Sequence, residues 1–253
     1  MTTIDLNADV AEGFEFDEAL MHIISSANIC AGLHAGGAVC MAQTLAFTRD
    51  NGVSIGIHPS YDDRANFGRT NHTLPADNVR SLLFYQLGAT VAVCQNMRLT
   101  PSYVKPHGAL YNQASTDPTL AKTIAQAVYD FDPSLALMGL SGSQLIHAGK
   151  QVGLKVICEA FADRRYNADG TLVSRTLPNA LIEDDHEAIN QVVRMVQDGQ
   201  VVAVDGSVIN LQVDSICLHG DGKHALDFAQ KIKQTLLEKD IGIAPKYNPK
   251  PNI

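Results

Sequence analysis

The sequence predicts an α/β fold, a single (β/α) barrel of the TIM type. Short, nearly continuous apolar segments alternate seven or eight times with longer segments whose apolar residues recur every three or four positions. Strands buried on both faces and amphipathic helices produce these two patterns, and their regular alternation is typical of one parallel barrel. A chain of 253 residues has an ordinary length for such a domain. We therefore expect one domain over residues 1–253, with a loosely held tail at about 244–253.

Eight short apolar segments are the predicted strands. Most are rich in Val, Ile, Leu, Cys and Ala, as expected for strands that helices cover. The pattern is weakest in the second and seventh segments, which leaves the count at seven or eight. The segments span residues 3–7, 27–30, 53–57, 102–105, 135–140, 155–160, 201–204 and 215–218.

The segments between the strands carry the signals of amphipathic helices. Residues 75–97 repeat apolar residues at helical spacing, and residues 223–239 do the same. Asp117 followed by Pro118 is typical of an N-cap and a first helical residue, and Asp184 or Asp185 caps a further helix. Three glycines stand where helices should end, namely Gly52, Gly153 and Gly199.

Composition narrows the class of protein. The net charge of −8 makes nucleic acid and anionic membranes poor partners, because the average field repels them. Five cysteines without a CxxC pair indicate free thiols in a reducing cytosol rather than disulfides or a zinc knuckle. The N-terminus does not resemble a signal peptide, and no apolar stretch approaches the ~18 residues that span a membrane. We therefore expect a cytoplasmic protein.

Four histidines mark the expected position of the site. In barrels of this type the site lies at the C-terminal ends of the strands, and His34, His58, His107 and His219 each follow an apolar segment at a Gly or Pro break. One such histidine is more often structural, but four with the same placement favour function. The remaining histidines fall on helical or polar stretches and are interpreted as surface residues: His22, His72, His147, His186 and His224.

Carboxylates follow the same rule. Alternation along the first strand places Asp5, Asn7 and Asp9 on one side, which in a barrel is the interior, and polar groups buried there need partners or a ligand. Glu12 follows shortly after, although Asp9 and Glu12 would also suit the capping of the next helix. Glu159 lies within the sixth strand, where it is either a general base or one half of a buried salt bridge with Lys105 or Arg164.

Basic residues near the same strand ends are candidates for binding an anion, because Arg suits carboxylate and phosphate groups. They are Arg64, Arg69, Lys105, Arg164 and Arg175. The sequence has no Walker A, GxGxxG, GxSxG or HExxH motif, so the corresponding nucleotide-binding, serine-hydrolase and zincin sites have no support. A divalent metal at the barrel mouth stays open, since His34, His107 and Asp9 are suitable ligand types on separate strands.

Nearly the whole chain, from Asp5 to about Ile243, resembles the LamB/YcsF family. The motifs that carry the resemblance are long, and together they are far more specific than any short pattern. They are Asp5-Leu6-Asn7 with Asp9 and Glu12, Ser26-Ala27-Asn28-Ile29, His34-Ala35-Gly36, His58-Pro59-Ser60-Tyr61, Phe67-Gly68-Arg69, residues 104–112, Glu159 with Phe161-Ala162-Asp163-Arg164, Val173-Ser174-Arg175, and Cys217 with His219-Gly220-Asp221.

The resemblance implies a seven-stranded barrel related to the polysaccharide deacetylase and glycoside hydrolase barrels. It also implies ATP-dependent opening of 5-oxo-L-proline to L-glutamate, with ATP and Mg²⁺ as co-substrate and with two partner subunits, PxpB and PxpC. Departures at Gly37 and Thr70, where Asp and Arg are common, leave a different lactam open. A homo-oligomer also stays open.

Within the matching motifs, residue chemistry suggests two sets of roles. Proton transfer is assigned to Asp9, His58, His107, Glu159 and Asp163. Binding of substrate or ATP is assigned to Asn7, Glu12, His34, Arg69, Lys105, Arg164, His219 and Asp221. Two alternatives are a metal-dependent amide or carbohydrate deacetylase on the same barrel, and a non-catalytic scaffold subunit that binds a lactam.

Overall fold

A computed structural model describes residues 2–218 and 223–248 of the chain. Strands and helices alternate along most of it, as the sequence predicts. In chain order the elements are β1 (Thr2–Val10), α1 (Asp17–Met21), β2 (Ser26–Cys30), α2 (Ala38–Asn51), β3 (Ser54–His58), α3 (Ala76–Asn96), β4 (Tyr103–Val104), α4 (Gly108–Thr116), α5 (Pro118–Phe131), β5 (Ala136–Leu140), α6 (Gln144–Val152), β6 (Val156–Phe161), α7 (Asp185–Asp198), β7 (Gln200–Val202), β8 (Val208–Asn210), β9 (Ser215–Leu218), α8 (Lys223–Glu238) and β10 (Ile241–Ile243).

Seven parallel strands close into a barrel in the order β1-β2-β3-β4-β5-β6-β9. Closure is made by β9, which pairs with β6 on one side and with β1 on the other, where Asp5 lies opposite Ser215. The short strand β10 adds to the first residues of β1, at Thr2 to Ile4. The predicted TIM-type α/β barrel is therefore confirmed, and it has the seven strands that the family resemblance implies.

The prediction of a barrel strand at residues 201–204 is wrong. This segment contributes to β7, which pairs antiparallel with β8 in a separate two-stranded sheet. Val201 is buried, but Val202 and Val204 are 43% and 56% exposed. A hairpin strand with one exposed face and a fully buried barrel strand both appear as a short apolar run, which explains the error.

The predicted helix boundaries are largely confirmed. The Asp117 carboxylate accepts hydrogen bonds from the backbone N–H groups of Thr119 and Leu120, and that of Asp184 accepts one from Glu187. Such bonds satisfy N–H groups that have no partner within the helix. Each of the three predicted C-terminal glycines adopts the left-handed conformation: Gly52, Gly153 and Gly199.

The two faces of β1 show how the barrel separates apolar from polar packing. Leu6, Ala8 and Val10 join the apolar core between strands and helices, whereas the intervening residues Asp5 and Asn7 are buried among polar side chains of other strands. Because successive strand residues point to opposite faces, one strand can supply both environments. The barrel interior is therefore polar at this level.

The structure adds detail on two peripheral regions, the segment after β10 and the surroundings of His72. Of the tail predicted at 244–253, residues up to 248 lie in the described ranges, and Tyr247 donates a hydrogen bond to the Ser134 carbonyl while Lys246 pairs with Asp214. These contacts hold that part of the tail. His72, predicted to be a surface residue, has a buried Nε2 and packs its ring 5.0 Å from that of Tyr61.

No helix in the described ranges is both long enough and apolar enough to cross a membrane.

Gly56 on β3 lets the Tyr103 ring of β4 lie against the backbone, since a Cβ atom at Gly56 would collide with that ring. We expect Gly56→Ala to lower the free energy of unfolding by about 1–3 kcal/mol, the usual range for an overpacked core. Chemical denaturation measures this. The matched control is Gly88→Ala in α3, where a Cβ meets no atom within 4 Å; it should stabilise the protein by roughly 0.5–1 kcal/mol. Equal effects of the two substitutions would contradict the packing described.

Candidate active site at the mouth of the barrel

The deepest part of the polar interior is built around Asp5. Its carboxylate is 1% exposed and accepts hydrogen bonds from Ser25, Ser26 and Ser215 at 2.5–2.7 Å. Burial raises the pKa of Asp5, and the three hydroxyl groups only partly oppose that shift. Asp5 is thus a structural carboxyl group with all its partners supplied by neighbouring strands.

Above Asp5, an amide network joins the four strands β1, β2, β4 and β9. The Asn28 side-chain amide donates to Asn7 and to Asp9, each at 2.7 Å, and its own oxygen accepts from the Tyr103 hydroxyl at 2.6 Å. Asn7 in turn donates to Ser215 at 2.8 Å. Every amide group therefore has a partner, as burial at this depth requires.

Lys105 is the cation of the interior. Its ammonium lies 2.7 Å from Glu159 Oε1 and 3.0 Å from Asp9 Oδ1, and it also donates to Asn7 Oδ1 at 3.2 Å and Cys217 Sγ at 3.3 Å. The short approach to Glu159 Oε1 is an ion pair without the geometry of an aligned hydrogen bond, whereas Glu159 Oε2 accepts from the Tyr111 hydroxyl at 2.6 Å. Asn7, Asp9 and Cys217 accept the three N–H bonds and Glu159 adds an ion pair, so the ammonium is fully occupied by the chain.

Neighbouring charges determine the pKa values of both Lys105 and Asp9. Burial alone would lower the pKa of Lys105, but the adjacent acids, Asp9 before Glu159, raise it well above its ordinary value. Burial would likewise raise the pKa of Asp9, yet His58 and Lys105 together hold it well below its usual range. Asp9 keeps 25% of its side chain exposed. It is therefore an ionised carboxylate that faces the mouth.

Two backbone carbonyls fix the rings of His58 and His107. His58 Nδ1 lies 2.7 Å from the Lys105 carbonyl, and His107 Nε2 lies 2.9 Å from the Phe67 carbonyl. A carbonyl only accepts, so both of these nitrogens carry hydrogen. The other two nitrogens, His58 Nε2 and His107 Nδ1, face each other at 2.9 Å. In neutral rings both of these are acceptors.

The loop between β3 and α3 packs directly on the rings. Phe67 has a φ of 56°, which is unusual for a side chain of its size, and Gly68 follows with a φ of 66°. A Cβ atom at Gly68 would lie 2.9 Å from both the His107 ring and the His34 side chain. The tight turn thus directs the Phe67 carbonyl at His107, and strain of this kind is often found at functional sites.

His34 and Glu12 complete the cluster. His34 Nε2 lies 2.9 Å from Glu12 Oε1, and its ring stacks on that of His107 with centroids 3.7 Å apart. Glu12 Oε1 is also 3.7 Å from His107 Nδ1. One ligand-type atom from each of Glu12, His34, His58 and His107 lies within 4.8 Å of the others, so these four side chains form a possible metal-binding site.

Two of the clustered histidines stay neutral near physiological pH. Burial, followed by the neighbouring His58, lowers the pKa of His107 to about 3. Burial and then His107 and His58 also lower the pKa of His34, further still. Neutral imidazole offers a lone pair, so both rings are in the form that accepts a hydrogen bond or binds a metal.

The structure brings most of the predicted site residues together. Asp9, Glu12, His34, His58 and His107 line the mouth, while Asn7, Lys105 and Glu159 lie beneath them in the interior. The alternative in which Glu159 forms a buried salt bridge with Lys105 is confirmed. Glu159 is fully buried, so the general-base role predicted for it would need access from the mouth.

The predicted residues of the outer loops are more dispersed. Arg69 is exposed, with its guanidinium 5.0 Å above the Phe67 ring. Asp163 is half-buried, and Arg164 is buried with Nη2 donating to the Val173 carbonyl at 2.6 Å. Burial, and then Arg175, lowers the pKa of Arg164 to about 10. His219 and Asp221 lie outside the described residues.

Several residues that hold the site were not predicted from the sequence. The most important are Asn28, Tyr103, Tyr111, Ser215 and Cys217. A weak signal existed for Tyr111, because it follows His107 by four residues on α4 and therefore lies on the same side of that helix. Asn28 could have been found by the rule of strand-end polar residues that identified Asp9. The other three look like ordinary strand residues.

A family profile, curated relatives and a solved structure are each similar to this chain over nearly its whole length. The LamB/YcsF family profile matches residues 4–250. The A subunit of 5-oxoprolinase from Neisseria meningitidis serogroup A is 56% identical over 244 residues, which cover 96% of this chain and all of that protein. Its counterpart from Haemophilus influenzae strain PittEE is 53% identical over 243 residues, covering 96% of this chain and 99% of that protein. The crystal structure of a lactam utilization protein from Thermus thermophilus superposes with a TM-score of 0.90 at 33% identity, covering 96% and 99% of the two chains.

The raised pKa of Asp5 predicts a pH-dependent stability effect. Because the folded protein favours protonated Asp5, this residue supports folding most below its ordinary pKa of 3.8, and its contribution falls as the pH rises through the folded-state value. Asp5→Asn mimics the protonated form. We expect the difference in unfolding free energy, variant minus wild type, to rise between pH 4 and pH 7, because the wild type loses the contribution of protonated Asp5 as the pH increases and the variant does not. Denaturant titrations at several pH values measure it.

The exposed Asp77→Asn serves as the matched control for Asp5→Asn and should show no such rise. A difference for Asp5→Asn that falls with increasing pH would contradict the account of the buried carboxyl group.

Removal of the Lys105 charge should expose the repulsion between Asp9 and Glu159. We expect Lys105→Met to lower the free energy of unfolding by about 3–5 kcal/mol, the usual effect of deleting one partner of a buried ion pair. Adding Glu159→Gln should recover part of this loss, because it removes the fully buried unpaired charge and keeps an acceptor for Tyr111. Chemical denaturation of the single and double variants measures both effects. Lys122→Met, at an exposed helix position, is the control and should change stability by less than about 0.5 kcal/mol. A double variant less stable than Lys105→Met would disprove the pairing.

Proposed function

The chain belongs to the LamB/YcsF family, and we propose that it is the A subunit of an ATP-dependent 5-oxoprolinase that opens 5-oxo-L-proline to L-glutamate. The observation that carries the proposal is full-length identity above 50% to proteins named as the A subunit of 5-oxoprolinase. It is supported by the buried cluster of histidines and carboxylates at the barrel mouth, where enzymes of this fold place their sites. The cytoplasm is the proposed location.

The chemistry of the substrate explains why ATP is required. A five-membered lactam is an unactivated amide, so water adds to its carbonyl slowly. Transfer of the γ-phosphoryl group of ATP, bound with Mg²⁺, to the lactam oxygen would release ADP and make the ring carbon electrophilic. One water then adds to that carbon, and the C–N bond breaks as the nitrogen takes a proton. The resulting acyl phosphate reacts with a second water to give glutamate and inorganic phosphate.

The mouth residues are suited to the proton transfers of this sequence. Asp9 is ionised and partly exposed, and its Oδ2 lies 3.3 Å from His58 Nε2. His107 Nδ1 has an available lone pair next to the same nitrogen. We assign Asp9, His58 and His107 to proton transfer from the attacking water, with Glu159 beneath them as a member of the charge network. Asp163 stays a catalytic candidate on the loop after β6.

The substrate and ATP are both anionic and the protein has a net charge of −8, so basic side chains near the site are needed to bind them. Arg69 and Arg164 are the candidates, one exposed on the loop before α3 and the other buried after β6. Arg164 Nε is buried and donates to no acceptor within the described residues, which suits it to bind a carboxylate or phosphate oxygen. His219 and Asp221 complete the proposed binding set.

The relatives are named as one lettered component of 5-oxoprolinase, which implies assembly with other chains. We propose that PxpB and PxpC are these partners, and that the complex as a whole holds ATP. This division would explain why the chain has no Walker A sequence of its own.

A metal-dependent amide or carbohydrate deacetylase is the second candidate. The observation that favours it is the cluster of Glu12 with three histidines, which is the type of ligand set that such hydrolases use. It would act without ATP and without partner subunits, so the two candidates differ in a simple assay.

The test is glutamate release from 5-oxoproline, measured with and without ATP, for the chain alone and together with PxpB and PxpC. We expect release only with ATP and partners. His107→Ala in the reconstituted complex should lower kcat/KM by at least about 100-fold, the lower bound for loss of a proton-transfer group. His147→Ala, at an exposed position of α6, is the control and should retain full activity. No release under any condition would remove the leading proposal, and ATP-independent amide hydrolysis would favour the second.

A further inference from the structure

The contact between His58 and His107 has an unusual hydrogen-bond count. Each ring donates its one hydrogen to a backbone carbonyl, yet the two remaining nitrogens lie 2.9 Å apart. Two neutral acceptors at that distance repel each other unless a positive centre lies between or beside them. A hydrogen on His58 Nε2, which Asp9 Oδ2 would also accept, or a metal ion between the two nitrogens would remove that repulsion.

The carboxylates around the two facing nitrogens also favour a cation at this position. Asp9 Oδ2 is 3.3 Å from His58 Nε2, and Glu12 Oε1 is 3.7 Å from His107 Nδ1. Lys105 is already engaged by Asp9 and Glu159. Arg64 adds a second basic group, with its guanidinium bonded to the carbonyls of Gly32, Ala35 and Gly36 beside His34. Among the described side chains, the three carboxylates of Asp9, Glu12 and Glu159 therefore outnumber the two basic side chains, Lys105 and Arg64. A cation bound at the facing nitrogens would offset that excess.

We propose that Glu12, His34, His58 and His107 bind one divalent transition-metal ion, with zinc or a metal of similar ligand preference as the occupant. A proton would join only two of these four groups, whereas a metal accounts for the convergence of all four. Imidazole nitrogen with one carboxylate oxygen is a set that Zn²⁺, Fe²⁺, Co²⁺ and Ni²⁺ accept.

The distances suit such an ion after small adjustments. Metal–nitrogen bonds of about 2.0–2.1 Å place tetrahedral ligand atoms about 3.3 Å apart. The measured separations are 2.9 Å for His58 to His107, 2.9 Å for His34 to Glu12, and 3.7 Å for His107 to Glu12. All four ligand atoms lie within 4.8 Å of one another. The His34 ring stacks on that of His107 with the two planes 1° apart, so it would have to turn to direct Nε2 at the same centre.

The outer contacts are also those of metal-binding histidines. Such residues usually donate the second ring N–H to a carbonyl or carboxylate, which fixes the ring and directs the other lone pair at the metal. His58 and His107 do this with the carbonyls of Lys105 and Phe67. The second nitrogen of His34, Nδ1, lies 3.8 Å from the Cys30 thiol rather than from a carbonyl or carboxylate, and Nε2 is the nitrogen that faces Glu12.

The position of the ion suggests its use. It would lie next to Asp9, the mouth carboxylate with the largest exposure, where a lactam carbonyl or an attacking water can approach. Polarising that carbonyl or lowering the pKa of that water is chemistry that such ions supply. With His58 Nε2 and His107 Nδ1 bound to the ion, Asp9 would take the proton of the attacking water. This use rests on the proposed function, whereas the metal site itself does not.

Metal binding is tested on the full chain without reference to activity. After dialysis against a chelator and its removal, Co²⁺ is titrated in, and its visible d–d absorption and isothermal calorimetry report binding. We expect one ion per chain. His34→Ala and His107→Ala should each weaken binding by at least about 100-fold, because loss of a ligand should cost at least as much as loss of a residue that only hydrogen-bonds a ligand. The exposed-site control His147→Ala should bind Co²⁺ as the wild type does.

Two results would overturn the site: wild-type protein that binds no stoichiometric Co²⁺ or Zn²⁺, or cluster variants that bind as tightly as the wild type. If a variant fails to fold, anomalous diffraction from a zinc-soaked wild-type crystal replaces it. A peak within bonding distance of His58 Nε2 and His107 Nδ1 supports the proposal, and a peak elsewhere or none contradicts it. Metal binding without 5-oxoproline turnover would support the metal site and reject the proposed function. Turnover without metal binding would support the proposed function and reject the metal site.

Discussion

Lys105 connects the two halves of the site, and most other contacts depend on it. Its ammonium joins Asp9 to Glu159 in the barrel interior, while its backbone carbonyl fixes the ring of His58 at the mouth. Without that cation, two carboxylates would face each other in a space that excludes most water, which is strongly unfavourable. The same residue thus permits a charged interior and sets the orientation of the nearest catalytic candidate.

The barrel makes this arrangement possible because each strand contributes to two environments. On β1, apolar residues pack against helices while Asp5, Asn7 and Asp9 extend upward through the interior as a graded series. Asp5, the deepest of the three, accepts hydrogen bonds from three serine hydroxyl groups. Asn7 links neighbouring strands through its amide, and Asp9, nearest the mouth, contacts His58 and is partly exposed to solvent. The buried structural carboxyl of Asp5 and the candidate catalytic carboxylate of Asp9 therefore belong to one hydrogen-bonded column.

The sequence predicted the barrel and the clustering of the strand-end histidines because both follow from periodicity. His34, His58 and His107 were identified by their place after apolar strands, and the parallel topology brings such positions together. What could not be predicted depends on contacts between distant segments. The orientation of His107 is set by the carbonyl of Phe67, forty residues earlier, and Asn28, Tyr103 and Ser215 have no local feature that separates them from ordinary strand residues. Short apolar runs are also ambiguous, as the wrong assignment at residues 201–204 illustrates.

The arrangement of protons on the two fixed rings tests this description of the site most directly. Long-range ¹H–¹⁵N correlation spectra of metal-free protein, labelled with ¹⁵N in histidine, report which ring nitrogens carry hydrogen. Assignment follows from His58→Gln and His107→Gln variants. The structure predicts a proton on Nδ1 of His58 and on Nε2 of His107, with the facing nitrogens and His34 Nε2 shifting when Zn²⁺ is added. A His58 ring without hydrogen on Nδ1, or a His107 ring without hydrogen on Nε2, would contradict it.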